Sequence, residues 1–337
     1  MNRLQVYMNG DKVGYFDQNR DGSHQFTYAS EWLDSPHSRP VSLSLPLRLT
    51  AYTGAEVINF FDNLLPDNPR IRDRIAARFQ SKTTRVFDLL AEIGRDAAGA
   101  IMLLPESDQL PDYQTIQATA LSEEELERVL SGYKNNAPLG MLDGNEDFRI
   151  SVAGAQEKTA LLYHQDRWYL PHRITPTTHI IKLPIGQIHT QQHTLDLSRS
   201  VDNELICLTL ASEFGLPAVQ ASILHAGEQR ALCVKRFDRR LSKDGCYFLR
   251  LPHEDFCQTF GLPPSAKYEN DGGIGIQRIM QERLLFSENK QDRRTFMATQ
   301  VFFWLLAAID GHAKNFSLSI EAQGRFRLAP LYDILSA

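Results

Sequence analysis

The chain opens on short apolar runs that end at turn-forming pairs. Leu4 to Met8 and Val13 to Phe16 flank Asn9-Gly10. Asn and Gly both tolerate positive φ, so this pair predicts a two-residue hairpin turn between two antiparallel strands. A second turn is expected at Asp21-Gly22. The hydrophobic period then lengthens. Ala55 to Leu65, stopped by Pro66, and Pro69 to Phe79 read as helices. In the second, Ile71, Ile75 and Phe79 recur every four residues beside a stripe of Arg70, Arg74 and Arg78. Ser122-Glu123-Glu124-Glu125 is a capping box that opens a helix reaching about Leu130.

Beyond Asn145 the pattern returns to strands: Phe148 to Val152, Lys158 to Tyr163, Trp168 to Leu170 and Thr178 to Leu183. A helix from about Val201 to Phe214 closes on Gly215 and Pro217, the expected stop order. Two further strands, Gln220 to Leu224 and Ala231 to Lys235, are joined by a turn containing Gly227. After about Leu251 helices dominate, including an apolar one from roughly Arg294 to Ile309. A strand pair, Phe316 to Ile320 and Phe326 to Ala329, turns at Gln323-Gly324. Neither an internal repeat nor a low-complexity linker interrupts the chain. The pattern predicts an α+β protein in three parts: an N-terminal β-rich accessory region over 1–145, a β-rich lobe over 146–241, and the beginning of a helical lobe over 242–337.

Composition narrows the classes. With 42% hydrophobic residues in 337, a sizeable core is expected. The 36 basic against 41 acidic residues give a net charge of -5, which argues against a dedicated nucleic-acid binder. Cys207, Cys233, Cys246 and Cys257 form no Cys-x-x-Cys pair and read as free thiols of a reducing compartment. The start has no apolar signal region, and no run of ~18 apolar residues occurs, so a cytoplasmic protein without a membrane segment is expected.

The candidate chemistry lies in the second half. Asp310-Gly311-His312-Ala313-Lys314-Asn315, just after the apolar helix, has the Asp-x-x-x-x-Asn spacing of a kinase catalytic loop. In such a loop the Asp accepts a hydroxyl proton and the Asn holds magnesium. By itself the hexapeptide also reads as a helix end with a tight Asp-Gly turn. Asp333 follows across one short strand pair, the order in which kinases place a second metal-binding Asp. Lys182 ends the run His179-Ile180-Ile181-Lys182, where a buried ammonium needs an anionic partner such as the phosphates of ATP. Glu204, in the first turn of the next helix, either pairs with Lys182 or stabilises the helix N-terminus. Ser151-Val152-Ala153-Gly154-Ala155-Gln156-Glu157-Lys158 is a small-residue loop that lets backbone N–H groups approach phosphates. It is not a P-loop, and Gly94 to Gly99, followed by Ala100-Ile101, lacks the phosphate lysine. Each signal alone is weak; their order along the chain, with the strand-to-hinge segment Val234-Lys235-Arg236-Phe237 between them, is that of a kinase.

These segments, together with Lys235-Arg236-Phe237-Asp238-Arg239-Arg240 and Asn59-Phe60-Phe61-Asp62-Asn63-Leu64-Leu65-Pro66, resemble the HipA family, the toxins of HipA–HipB toxin–antitoxin systems. The resemblance implies a protein-kinase-like fold and an ATP- and Mg²⁺-dependent serine/threonine protein kinase. Asp310 would be the catalytic base, and Asn315 and Asp333 would hold Mg²⁺. Val152 to Glu157 (Val152, Ala153, Gly154, Ala155, Gln156, Glu157), with Lys158, Lys182, His312 and Lys314, would contact the nucleotide, and the backbone of Lys235, Arg236 and Phe237 would meet adenine. Ser151 matches the serine whose autophosphorylation switches the kinase off; a doubly charged group there would repel ATP. The implied substrate is an aminoacyl-tRNA synthetase, whose modification stalls translation and promotes persistence. The implied partner is a HipB-like helix-turn-helix antitoxin, which carries operator DNA and makes the toxin a co-repressor. Family members continue well beyond the second metal Asp, whereas this chain stops at Ala337. Most of the helical lobe is therefore expected to be missing, with weak ATP binding and apolar surface exposed on the Phe302-Phe303-Trp304 helix. Two rival readings stand beside the kinase: an inactive kinase-like co-repressor, and a small-molecule phosphotransferase.

Overall fold

The computed structural model describes residues 1–131, 158–189 and 194–336. The expected strand Phe148 to Val152, the loop from Ser151 to Glu157 and the boundary between 145 and 146 lie outside them. The first hairpin forms as the sequence predicts: strands Asn2–Met8 and Asp11–Gln18 pair around Asn9 and Gly10, which take φ of 46° and 95°. His24–Tyr28 and Ile101–Pro105 complete an antiparallel sheet in the order His24–Tyr28, Asp11–Gln18, Asn2–Met8, Ile101–Pro105. Ile101–Pro105 reads as a continuous apolar run because both of its faces are covered. One face of the sheet packs on the helices Ala55–Asp62 and Val86–Ile93, with Phe16 stacked on Phe61 at 3.9 Å and 5.4 Å from Phe87. On the other, Tyr7, Met102 and Leu104 meet Ile174.

A six-stranded antiparallel sheet forms the middle of the molecule. Its order is Ala221–Ala226, Gln229–Lys235, His179–Lys182, Lys158–His164, Arg167–Pro171 and Ala118–Ala120. The last strand comes from the N-terminal region, so that region and the middle sheet share hydrogen bonds as well as a common apolar core running from Leu4 to Ala231. A second core joins the helices Ser200–Glu213 and Asp292–Leu305 to the strands Ser317–Ile320 and Phe326–Leu328.

Helix ends show where the sequence signals work. Ser200–Glu213 stops in a Schellman motif: Gly215 donates to the Ser212 carbonyl and Leu216 to that of Ala211, with Gly215 at φ 75°. Asp292–Leu305 stops the same way, four residues before the expected Ile309. Ala307 donates to Trp304 and Ala308 to Phe303, but the left-handed position is an alanine, at φ 52°. Without glycine the stop carries no sequence signature. The exposed apolar surface expected on this helix is carried by Trp304, Val301 and Leu305, with Ile309 exposed just beyond it, whereas Phe302 and Phe303 are buried. Among the described residues no helix is long and apolar enough to cross a membrane.

Two buried polar junctions fix the N-terminal region to the rest. In the first, Asp96 and Asp238 share three arginines. Arg239 reaches Asp96 and Asp238 at 2.8 Å each, Arg236 lies 2.8 Å from Asp238 and 3.6 Å from Asp96, and Arg250 lies 3.4 Å from Asp96. Thr177 donates to Asp96 at 2.7 Å, and the Gly99 N–H donates to Asp238 at 2.8 Å. Burial would raise both carboxyls; the guanidiniums outweigh it, holding Asp96 at about 2 and Asp238 well below the usual range. Gly99 sits at φ 75°, with a virtual Cβ 2.7 Å from the His253 carbonyl oxygen, so only glycine fits this close approach.

In the second junction the buried Glu254 accepts from the Leu43 N–H at 2.7 Å and meets the Ser42 hydroxyl at 2.5 Å. Burial pushes its carboxyl up to about 8, against the lowering effect of those bonds. A carboxyl raised on folding stabilises most fully below its unfolded pKa, and that contribution is lost as pH climbs through the folded value. Unfolding free energy from urea titrations should therefore decline between about pH 5 and 8. The decline should be shallower in Glu254→Gln. Parallel pH slopes for the two proteins would show that Glu254 does not titrate as described.

Candidate active site

Lys182 is the last residue of the strand His179–Lys182, and its cross-strand partner is Lys158, first residue of the neighbouring strand. The sheet thus sets two ammonium groups side by side in the interior, with 8% and 4% of Lys158 and Lys182 exposed. Like charges so placed need counter-charges. Glu204 supplies one from the helix Ser200–Glu213, at 2.7 Å from Lys182 and itself buried. The two readings of Glu204 resolve to the lysine pair. Asp333 supplies the other: one oxygen bonds Lys182 and the second lies 3.8 Å from Lys158. Burial lowers both lysines, Lys158 to about 8, with Glu204 opposing.

Asp333 takes φ 54°, a left-handed conformation that costs an aspartate about 1 kcal/mol. Contacts on both sides hold it there. Upstream, Leu331 exchanges backbone hydrogen bonds with Pro217 and Val219. Downstream, Ser336 exchanges bonds of 2.9 and 2.7 Å with Asn203 and donates to the Leu306 carbonyl at 2.6 Å.

The loop Asp310–Asn315 faces this cluster. Asn315 donates from Nδ2 to the Asp310 carbonyl at 2.6 Å and to that of Asp333 at 3.5 Å. With Nδ2 so engaged, Oδ1 is the atom of Asn315 that could serve a metal, and an amide oxygen with a carboxylate is the hard, oxygen-only donor pair that Mg²⁺ takes. The Asp310 side chain is 55% exposed and so can meet an incoming hydroxyl. It accepts from the Tyr268 hydroxyl at 2.5 Å, and His312 Nε2 lies 4.0 Å away with its ring edge-on to Tyr268. The Tyr268 phenol is pushed above its ordinary value by burial and by Asp310, which keeps it a donor.

The remaining sequence candidates separate into those near the cluster and those turned from it. Lys314 is buried, with Nζ 2.7 Å from the Asn63 amide oxygen, 3.4 Å from Asp255 and 3.5 Å from Asp67, and its charge acts on Lys158. The Arg236 side chain lies in the buried arginine–aspartate junction, so only its backbone stays available at the hinge. Phe237 stacks on Tyr332 at 5.9 Å, and Lys235 is exposed at the strand end. Val152, Ala153, Gly154, Ala155, Gln156, Glu157 and Ser151 lie outside the described residues. Sequence reasoning missed Tyr268, which sits in a loop without a motif, and Asp96, part of the Gly94 to Gly99 segment set aside as a failed P-loop.

Comparison with known proteins accords with this geometry. Residues 150–337 match the model of the HipA-like C-terminal domain, and residues 4–104 that of the HipA N-terminal domain. The chain belongs to the HipA family. It is 32% identical to the serine/threonine-protein kinase toxin HipA of Shewanella oneidensis over 92% of this chain and 69% of that protein. It is 34% identical to Y4mE of Sinorhizobium fredii over 99% of this chain and 77% of that protein. The solved complex of Shewanella oneidensis MR-1 HipA, HipB and operator DNA matches with a TM-score of 0.80. That match has 27% identity and covers 99% of this chain and 76% of the HipA chain. The kinase-like α+β fold expected from the sequence is thus the fold of a HipA. The chain spans roughly seven- to eight-tenths of the length of these relatives.

Because Lys182 and Glu204 form a buried pair, Lys182→Met should cost about 3–5 kcal/mol by stranding Glu204. Lys182→Met combined with Glu204→Leu should recover much of that loss in chemical denaturation. Additive losses in the double-mutant cycle would mean the two side chains are uncoupled.

Proposed function

We propose that this HipA-family chain is an ATP- and Mg²⁺-dependent serine/threonine protein kinase and the toxin of a toxin–antitoxin pair. The observation that carries this reading is the charge arrangement at Lys158, Lys182, Glu204 and Asp333, two cations against two carboxylates. With Asp333 turned to a metal ion, Lys158 and Lys182 would be two buried ammoniums facing one carboxylate. The triphosphate of ATP restores the balance at that point. Mg²⁺ held by Asn315 and Asp333 would neutralise phosphate charge during transfer.

The chain's own groups do the rest. Lys182 and Lys158 orient the phosphates, and Glu204 keeps Lys182 in place. The backbone from Lys235 to Phe237 takes the adenine. Asp310 accepts the proton of the attacking serine or threonine hydroxyl, oriented by the phenol of Tyr268. A protein substrate, for which the family resemblance points to an aminoacyl-tRNA synthetase, reaches Asp310 from the solvent side. Ser151 is the proposed site of self-inactivation by phosphorylation. A HipB-like antitoxin is the proposed partner, with operator DNA held chiefly through it. The solved Shewanella assembly of HipA, HipB and operator DNA supports that partner.

Intact mass of the purified chain before and after Mg-ATP tests the reading. Wild type should gain one phosphate, mapped to Ser151, and Asp310→Asn should gain none while still binding ATP within about threefold. A wild-type chain that starts unphosphorylated, binds ATP and gains nothing would favour the co-repressor role without catalysis.

A further inference from the structure

The loop that carries Asp310 and Asn315 is held from behind by the N-terminal region, which the sequence left as an accessory. Lys314 immediately precedes Asn315, and its ammonium sits in a pocket of oxygens. The Asn63 amide oxygen accepts at 2.7 Å and its backbone carbonyl at 3.4 Å; Asp255 and Asp67 stand at 3.4 and 3.5 Å. These oxygens engage the Lys314 ammonium from the N-terminal region and from Asp255.

Asn63 is itself locked. Its Nδ2 donates to the Leu262 carbonyl at 2.9 Å and to that of Asn59 at 2.8 Å, while Asn59 donates to the Gly261 carbonyl at 2.7 Å. These residues sit at the end of the helix Ala55–Asp62 and just beyond it. Asp67 makes a second tie. It pairs with Lys267 at 3.4 Å, and the carbonyl of Lys267 accepts from the Ala313 N–H at 3.0 Å. The next residue, Tyr268, bonds Asp310. The N-terminal region therefore grips the loop at Lys314 directly, and at Ala313 and Asp310 through residues 267 and 268.

From this juxtaposition we infer that Asn63 and Asp67 are positioning residues for phosphoryl transfer, setting Asn315 and Asp310 through Lys314 and Lys267. The inference rests on reading Asp310–Asn315 as the catalytic loop. It makes the N-terminal region a part of the active site, and any partner bound to that region gains a mechanical route to the loop. Asn63 and Asp67 act on the loop through Lys314 and Lys267, so the larger part of their effect belongs on turnover.

Asn63→Ala and Asp67→Asn, each in the full chain, separate this role from ordinary stability. Amide hydrogen exchange at Ala313 and Asn315 should quicken by about tenfold or more in both variants, with exchange at Val6 and Leu103 unchanged. The kcat for phosphoryl transfer should fall by about tenfold or more with KM for ATP within about twofold. Unchanged loop exchange would overturn the inference. So would a rise shared by the first sheet, or a KM that moves as far as kcat. If the wild-type chain transfers no phosphate, the kinase reading fails by itself, and exchange at Ala313 and Asn315 still decides whether these residues hold the loop.

Discussion

The structure depends on burying three guanidiniums with two carboxylates at one point. Asp96 comes from the turn after the helix Val86–Ile93, Asp238 from the end of the middle sheet, and Arg250 and His253 from the chain leading into the second core. No pair is sufficient by itself. Each arginine makes bonds that the others leave open, including those from Arg236 and Arg239 to the Ala97 carbonyl at 3.0 and 2.8 Å. Buried ion clusters are weak sources of net stability because desolvation consumes most of the attraction. Their strength is discrimination: a register or docking angle that strands one of these charges is severely penalised. The first sheet, the hinge and the strand that carries Glu254 are thereby held in one relative placement.

Legibility in the sequence followed the distance over which an interaction forms. The Asn9-Gly10 turn, the Ser122 capping box and the Gly215 helix stop are set by residues within a few positions, and all were readable. The Ala307 stop was not, because alanine does there what glycine signals elsewhere. Lys182, Glu204, Asp310, Asn315 and Asp333 stood out as a series because their order along the chain is that of a kinase, and the fold brings them to one place. Lys158 stood out only as the last residue of a loop; its pairing opposite Lys182 needed the strand register.

What remained hidden were partners that meet across long separations. Asn63 and Lys314, Asp67 and Lys267, and Asp96 and Arg239 each join distant segments. Their residue types are unremarkable in isolation. Asp96 did lie in a conspicuous small-residue stretch, and the dense charges of Arg236 to Arg240 amid apolar strands signalled that acids had to come from somewhere. The sequence held the demand for counter-charge without showing where it would be met.

These long spans also impose a timetable on the nascent chain. The tip of the very first hairpin is closed by the backbone of Arg250, with Asn9 exchanging two bonds of 2.8 Å across it. Lys314 waits on Asn63 from the opposite end. At ribosomal speeds of roughly 5–20 residues per second, the N-terminal sheet emerges on the order of ten seconds or more before its final contacts exist. For a protein of this family, the delay means that the loop bearing Asp310 meets N-terminal partners that have long been made, so synthesis interrupted ahead of Lys314 leaves Asn63 without its ammonium.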